Sequence, residues 1–164
     1  MSSGKTQSND NPQVLNLIVD TSGSMIEGGK RLIARGIARQ VEQFIRLGYA
    51  TAEIRLFSAG DSAASVDWNP DTEYPDSLLT CSGLLNMSLL LDVLKDSKGK
   101  YLFLSDCSWD SRTKRAFMTW LGAMPEDSVR IIQIGNEHKT SVLGCRLFVP
   151  EDFFVAMDHW LEVS

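Results

Sequence analysis

The order of apolar and polar positions along the chain alternates between two periods. Short apolar runs bounded by turn residues are typical of buried strands, whereas apolar residues spaced by three or four positions are typical of helices packed on a core. The predicted strands span 14–19, 52–57, 100–105, 129–134 and 146–149, with a shorter one near 64–68. The predicted helices span 30–47, 84–95, 112–124 and 151–162. This alternation predicts an α/β, Rossmann-like fold in which a mostly parallel central sheet is flanked by helices on both faces.

The first predicted helix combines an apolar stripe with a charged face. Its apolar positions recur at spacings of four, four and three, and are Ile33, Ile37, Val41 and Phe44. Its basic positions are Lys30, Arg31, Arg35 and Arg39. Because apolar residues and Glu42 are interleaved with these cations, the pattern predicts a buried stripe opposite a solvated helix face.

Two further segments bear on the organisation of the domain. The aromatic and methionine residues of 112–124 and 151–162 lie at helical spacing, and are predicted to pack on the sheet rather than to form a partner groove. Residues 58–80 are rich in Asp, Ser, Asn and Pro, and are predicted to form a long surface loop. Residues 1–13 are polar and are expected to be a flexible tail, which leaves one domain over 14–164.

Composition and charge exclude several classes of protein. A chain of 164 residues with 43% hydrophobic content can bury a core without disulfides or a structural metal. Its net charge of −5 argues against nucleic-acid binding, which needs clustered Lys and Arg. The three cysteines, Cys81, Cys107 and Cys145, lack the spacing of a zinc site or a disulfide framework. With no secretory signal and no membrane span in the pattern, a cytoplasmic protein is expected.

The strongest candidate chemistry follows the first predicted strand. The run Val-Leu-Asn-Leu-Ile-Val ends at Asp20, and Ser22 and Ser24 follow at alternate positions. One carboxylate and two hydroxyls on a single loop suit an oxygen-preferring cation such as Mg²⁺, with Mn²⁺ or Ca²⁺ as alternatives. The simpler interpretation is a turn in which Asp and Ser cap backbone N–H groups. A second strand end, Ser105-Asp106, favours the metal site because two independent pieces then coincide.

This stretch resembles the von Willebrand factor type A (vWA) domains, whose hallmark is Asp-x-Ser-x-Ser at the end of the first strand. Asp20, Ser22 and Ser24 match that pattern in full. The resemblance implies a metal-ion-dependent adhesion site (MIDAS) that also takes an Asp from a third loop, for which Asp106 is the candidate. Cys107 stands where Gly is commoner in the family.

The resemblance also implies a hydroxyl ligand from a second loop. The family usually shows Gly-Thr there, whereas this chain has Leu78-Leu79-Thr80-Cys81-Ser82-Gly83. Thr80 is the residue type that the family prefers, and Ser82 lies closer to the following helix. Ser82 is slightly favoured, and both remain candidates.

The function implied by the resemblance is docking without catalysis. The cation would retain open coordination positions, and an Asp or Glu of a partner protein would complete them. Single-domain members of the family resemble parts of bacterial stress or defence systems, which makes an AAA ATPase, a kinase or a phosphatase the expected partner. Met25 and Trp109 lie close to the ligands in sequence and are candidates for apolar contacts at the rim.

An enzyme is the alternative from another class. Phosphotransferases of the haloacid-dehalogenase type also place a strand-end Asp beside Mg²⁺, which would make Asp20 a nucleophile. The segment Ser105-Asp106-Cys107-Ser108-Trp109-Asp110 resembles their distal acidic motif. Those enzymes usually carry a second Asp two positions after the nucleophile, and this chain has Ser22 there. Since a hydroxyl cannot serve as that acid or base near neutral pH, docking is preferred.

Overall fold

The central element of the fold is a six-stranded sheet. The computed structural model describes residues 13–135 and 147–161. Within them the strands are β1 (Val14–Asp20), β2 (Glu53–Ala59), β3 (Ala63–Val66), β4 (Lys100–Ser105), β5 (Val129–Gln133) and β6 (Leu147–Phe148). Their order is β3-β2-β1-β4-β5-β6, and every neighbouring pair is parallel except β2 with β3. The predicted α/β class with a mostly parallel sheet is confirmed.

Helices cover both faces of this sheet. They are α1 (Lys30–Arg46), α2 (Met87–Leu94), α3 (Ser111–Ala123) and α4 (Phe153–Met157). One hydrophobic layer joins α1 and α4 to the face that carries Leu15, Leu17 and Val19 of β1. The other layer joins α2 and α3 to the opposite face, to which Ile18 belongs. Because successive strand residues point to opposite faces, β1 contributes to both layers and is buried from Leu15 to Asp20.

The first helix departs from its predicted pattern in two places. Ile37, Val41 and Phe44 are buried as expected, but Ile33 is 42% exposed. The buried stripe passes instead through Ala34 and Ala38, whose small side chains let α1 approach the sheet closely. The prediction that Lys30 lies on a solvated face is also wrong, because Lys30 belongs to this buried stripe.

The segment 58–80 is more structured than a long surface loop. Strand β2 continues to Ala59, β3 follows, and a short 3-10 helix spans Asp76–Leu78. Leu78 is fully buried and Tyr74 is nearly so. Tyr74 makes an edge contact with Trp68, and the guanidinium of Arg39 lies 5.2 Å from the Trp68 ring centre. The polar composition concealed these apolar anchors, which attach the segment to α1.

The C-terminal helix is shorter than predicted. A 3-10 turn over Pro150–Asp152 precedes α4, and Phe154 is 54% exposed although its neighbours Phe153 and Met157 are buried. The expectations for residues 1–12 and for Cys145 fall outside the described residues. Cys81 and Cys107 are free, buried thiols. Among the described helices, none has the length and apolar character that crossing a bilayer would require.

Candidate metal centre

Two carboxylates from distant parts of the sequence lie at the same edge of the sheet. Asp20 is the last residue of β1, and Asp106 directly follows β4. These strands are parallel neighbours in which Val19 is paired with Leu104, so their carboxyl ends lie side by side. Both aspartates are 1% exposed. We refer to Asp20, Ser22, Ser24 and Asp106 as the candidate site.

The Asp20 carboxylate is held by hydroxyl and amide donors. Its Oδ1 accepts hydrogen bonds from the Ser22 amide at 2.8 Å and from the Ser22 hydroxyl at 2.6 Å. Its Oδ2 accepts from the Ser105 hydroxyl at 2.6 Å. The hydroxyl of Ser24 lies next to that of Ser22, with 3.4 Å between the two Oγ atoms. The first loop therefore gathers three oxygen-bearing side chains in one place.

Ser105 is a member of this network that the sequence marked only as part of the Ser105-Asp106 strand end, without a contact of its own. It is the last residue of β4, is fully buried, and donates to Asp20 across the two strands. A hydroxyl at the end of an apolar strand is a weak signal by itself. Its partner becomes evident only when β1 and β4 are known to be neighbours.

Asp20 also experiences the charge of Asp106. Burial raises the pKa of the Asp20 carboxyl, hydrogen bonds from Ser105 and Ser22 oppose that rise, and the nearby charge of Asp106 adds to it. Two partly uncompensated carboxylates in a poorly hydrated place favour a bound cation, because opposite charge offsets their repulsion and their lost hydration.

The second loop contacts the first loop through its backbone. The Ser82 amide donates to the Thr21 carbonyl at 3.0 Å, and the Gly23 amide donates to the Gly83 carbonyl at 2.8 Å. The charge of Asp20 contributes to a raised pKa of the Cys81 thiol, after the larger effect of burial. The loop predicted to supply a ligand therefore lies against the candidate site.

The two hydroxyl candidates of that loop are directed to other partners. The Ser82 hydroxyl donates to Asp61 Oδ2 at 3.1 Å, and the Thr80 hydroxyl donates to the Asp76 carbonyl at 3.1 Å. Both residues are exposed. Ser82 lies beside the first loop, whereas the Thr80 hydroxyl closes a local turn. Asp61 was not anticipated, because it lies in the β2–β3 hairpin and far from every motif in sequence.

A buried lysine contacts the second carboxylate. Lys30 Nζ lies 3.0 Å from Asp106 Oδ2, and the two side chains are 4% and 0% exposed. The other oxygen of Asp106, Oδ1, accepts from the Ser108 amide at 3.1 Å. The helical phase of Lys30, four residues before the buried Ala34, was the signal in the sequence that could have revealed its burial.

The backbone before α1 brings Lys30 to this position. A short 3-10 helix over Gly23–Gly29 follows the first loop, and Gly28 and Gly29 have φ of 61° and 72°. This left-handed conformation is accessible to glycine at little cost. The two glycines turn the chain so that the first residue of α1 faces the end of β4.

Cys107 occupies the position where the resembled family favours glycine, and its backbone explains that preference. Its φ is 57°, which is unusual for a residue with a side chain. Burial, with the charges of Asp20 and Asp106, raises the pKa of its thiol to about 12. The thiol is therefore protonated near neutral pH, which disfavours a role as nucleophile because the thiolate is the reactive form.

Met25 and Trp109, the residues expected to offer apolar contacts at the rim of the site, are both engaged in packing. Met25 is fully buried in the core and offers no surface to a partner, so that prediction is wrong. Trp109 is half-buried and packs on Phe103 and Phe117, where it covers the start of α3. The exposed apolar residues near the loops are instead Ile26 and Leu84.

The donor chemistry of the candidate site fits a small divalent cation. Throughout residues 13–135 and 147–161 there is no cluster of three or more His, Cys, Asp or Glu side chains suited to a metal. The candidate site instead combines two carboxylates with serine hydroxyls, which are hard oxygen donors. Asp20, Ser22, Ser24 and Asp106 are the residues that would hold the ion.

Several solved structures align with this chain at low sequence identity. Proximal thread matrix protein 1 from the mussel byssus aligns with a TM-score of 0.53 and 10% identity, over 88% of this chain and 43% of its own. A von Willebrand factor type A protein from Catenulispora acidiphila aligns with a TM-score of 0.42 and 16% identity, over 74% of this chain and 32% of its own. The ArnB paralog VWA2 from Sulfolobus acidocaldarius aligns with a TM-score of 0.44 and 16% identity, over 85% of this chain and 42% of its own. The chain spans less than half the length of each of these proteins.

Comparison of the sequence with models of protein families gave no match, and comparison with curated proteins gave none either. The class of the protein is therefore defined by its architecture. A mostly parallel β3-β2-β1-β4-β5-β6 sheet covered by helices on both faces makes this a Rossmann-like α/β fold.

Proposed function

We propose that this protein is a docking module that binds a divalent cation at the candidate site and, through it, an acidic residue of a partner protein. The observation that carries the proposal is the convergence of Asp20, Ser22, Ser24 and Asp106 at the ends of β1 and β4. When bound, the ion would act as a Lewis acid with open positions for a carboxylate. The protein partners proposed from the vWA resemblance, an AAA ATPase, a kinase or a phosphatase, remain part of this proposal.

The geometry of Asp20 supports docking over the enzymatic alternative. Both carboxylate oxygens accept hydrogen bonds from serines, and the side chain is almost fully buried. A nucleophile needs an oxygen that can approach its substrate in line, with an acid or base nearby. Hydrolysis of a generic phosphoester that requires Mg²⁺ and is abolished in Asp20→Asn would favour the enzyme instead.

Metal binding is the first test of the proposal. Isothermal titration with Mg²⁺ and Mn²⁺ is expected to give saturable binding to the wild type, and a loss of at least about tenfold in affinity in Asp20→Asn and Asp106→Asn, because each removes one negative charge from the site. Asp110→Asn is the matched control, since Asp110 is exposed and caps α3 at the same edge. Equal affinities in all four proteins would contradict the assignment.

Docking is tested separately with a defined acidic probe. A short peptide containing glutamate is expected to perturb the NMR signals of residues 20–24 and 105–108 when Mg²⁺ is present and not when EDTA replaces it. The same peptide with glutamine in place of glutamate is the control. Equal perturbation by both peptides, or perturbation that persists in EDTA, would count against a metal-bridged carboxylate.

A further inference from the structure

The ion pair between Lys30 and Asp106 is an energetically costly feature of the candidate site. Both side chains are almost fully buried, so each charge has lost most of its hydration. The attraction in such a pair often does little more than offset that loss, and apolar residues of similar volume can stabilise a fold as well or better. A buried ion pair at a candidate site therefore calls for a functional explanation.

The ammonium lies where it affects metal binding directly. It contacts Oδ2 of Asp106, while the Ser108 amide donates to Oδ1. A divalent ion that takes Asp106 as a ligand through Oδ2 must compete with Lys30 for the same oxygen. With the ammonium in place, the two carboxylates and Lys30 together carry one net negative charge rather than two.

The surroundings of Lys30 give the displaced ammonium a route to water. Lys30 is the first residue of α1, and the preceding Glu27 and Gly28 are exposed. The lysine side chain is a flexible four-carbon stem with a strongly hydrated head, so it can leave the carboxylate while its backbone stays in the helix.

We propose that the Lys30 ammonium is a built-in competitor of the divalent cation, which occupies Asp106 until metal or a metal-bearing partner displaces it. This inference rests on the proposed function, because it describes how the same site is regulated. Lys30 compensates the charge of Asp106 when no ion is bound, and it weakens the affinity for metal. An acidic partner helps to complete the exchange, because it adds a ligand to the ion and attracts the released ammonium.

The decisive variant removes the charge of Lys30 and keeps its bulk. Lys30→Met is expected to bind Mg²⁺ about tenfold or more tightly than the wild type in isothermal titration, because the competing cation is gone. Mg²⁺ should also raise the melting temperature of Lys30→Met more than that of the wild type, since tighter binding to the folded state adds more stability. Lys95→Met is the matched control, because Lys95 is 67% exposed and lies on α2's C-terminal side, away from the site.

Two further measurements guard against a variant that fails to fold. Lys30→Gln removes the charge but keeps hydrogen-bonding capacity, and is expected to show the same tightening. In the wild type, the NMR signal of the Lys30 ammonium is expected to shift as Mg²⁺ is added, whereas that of Lys95 stays in place.

The outcomes separate this inference from the proposed function. Equal Mg²⁺ affinity in wild type, Lys30→Met and Lys30→Gln would overturn the role of Lys30 and leave the metal site standing. Binding by the Lys30 variants alone would support the competition, and would count against metal-dependent docking by the wild type. If no protein binds Mg²⁺ or Mn²⁺, the proposed function fails and this inference fails with it.

Discussion

Cys107 adopts a backbone conformation that favours glycine, and this residue ties the loop after β4 to the chemistry of the candidate site. Its φ of 57° places Cβ close to the neighbouring carbonyl, which costs about 1–2 kcal/mol for an L-residue. The thiol is nevertheless 6% exposed and packs in the second hydrophobic layer. A small, unbranched side chain is the compromise that this position allows.

The change in stability on substitution of Cys107 is expected to depend more on backbone strain than on side-chain volume. Cys107→Gly should stay within about 1 kcal/mol of the wild type, because relief of the left-handed conformation offsets the lost burial. Cys107→Val, which adds one heavy atom and branches the side chain at Cβ, should lower the free energy of unfolding by about 2 kcal/mol. Urea unfolding measures both, and a valine variant as stable as the wild type would show that the loop readily changes conformation.

At this scale the sequence predicts the candidate ligands better than their partners. Asp20, Ser22, Ser24 and Asp106 follow from strand ends and a motif, and the structure places them together. Lys30, Ser105 and Asp61 could not be paired with anything beforehand, since each contact joins residues far apart in the chain. Such pairings depend on strand order, which local patterns do not contain.

Helix α2 is stabilised by contacts at its start. It has eight residues, and the Asn86 side chain accepts a hydrogen bond from the Leu89 amide at 3.0 Å, which satisfies one of the free donors of the first turn. The backbone N–H of Asn86 also donates to the Gly60 carbonyl, and this hydrogen bond attaches the helix to the β2–β3 hairpin. Short helices of this kind are marginal without such contacts.

Removing this cap is expected to be measurable. Asn86→Ala should lower the free energy of unfolding by about 1 kcal/mol, the usual cost of losing an Asn cap. Ser88→Ala, an exposed position in the same helix, should leave stability nearly unchanged. Chemical denaturation measures the free energy of unfolding of both variants. An equal decrease in the two would show that the effect does not come from the Asn86 cap.

Most element positions could be predicted from periodicity, whereas the length of the last helix could not. The strands and helices α1 to α3 match the predicted segments within a few residues. The predicted helix 151–162 was too long because Trp160 and Leu161 are buried outside a regular helix, at apolar positions that fit the helical period equally well. Burial and helical phase are distinct properties, and a short apolar segment can have the first without the second.

Over the whole molecule, the end of the sheet opposite the candidate site carries a separate structural anchor. The Trp160 indole donates to the Asp127 carbonyl at 2.7 Å and is 3% exposed. The Arg130 guanidinium and the Lys100 ammonium lie 4.9 Å and 5.5 Å from its ring centre. Because Lys100 begins β4, this cluster lies at the amino ends of the strands, and the candidate site lies at their carboxyl ends.

This separation predicts that stability and metal binding respond to different residues. Trp160→Ala should lower the free energy of unfolding by about 3–5 kcal/mol through the lost burial and the cavity it leaves. The folded fraction should bind Mg²⁺ with wild-type affinity, because the contacts of Trp160 with Asp127, Arg130 and Lys100 lie at the other end of the sheet from the candidate site. Val155→Ala, at a 63% exposed position nearby, is the control for stability. If the Mg²⁺ affinity of Trp160→Ala still differs from that of the wild type after correction for unfolded protein, the two ends of the sheet are coupled.

Strand β3 determines how the molecule behaves beside other copies of itself. It is four residues long, runs antiparallel to β2 and borders the sheet, so few of its backbone amides and carbonyls are left to pair with a foreign chain. Natural proteins use such brief border strands to avoid stacking into fibrils. A border of this kind offers little template for a second copy of the chain, so the protein is expected to resist association along this side of the sheet when it is concentrated.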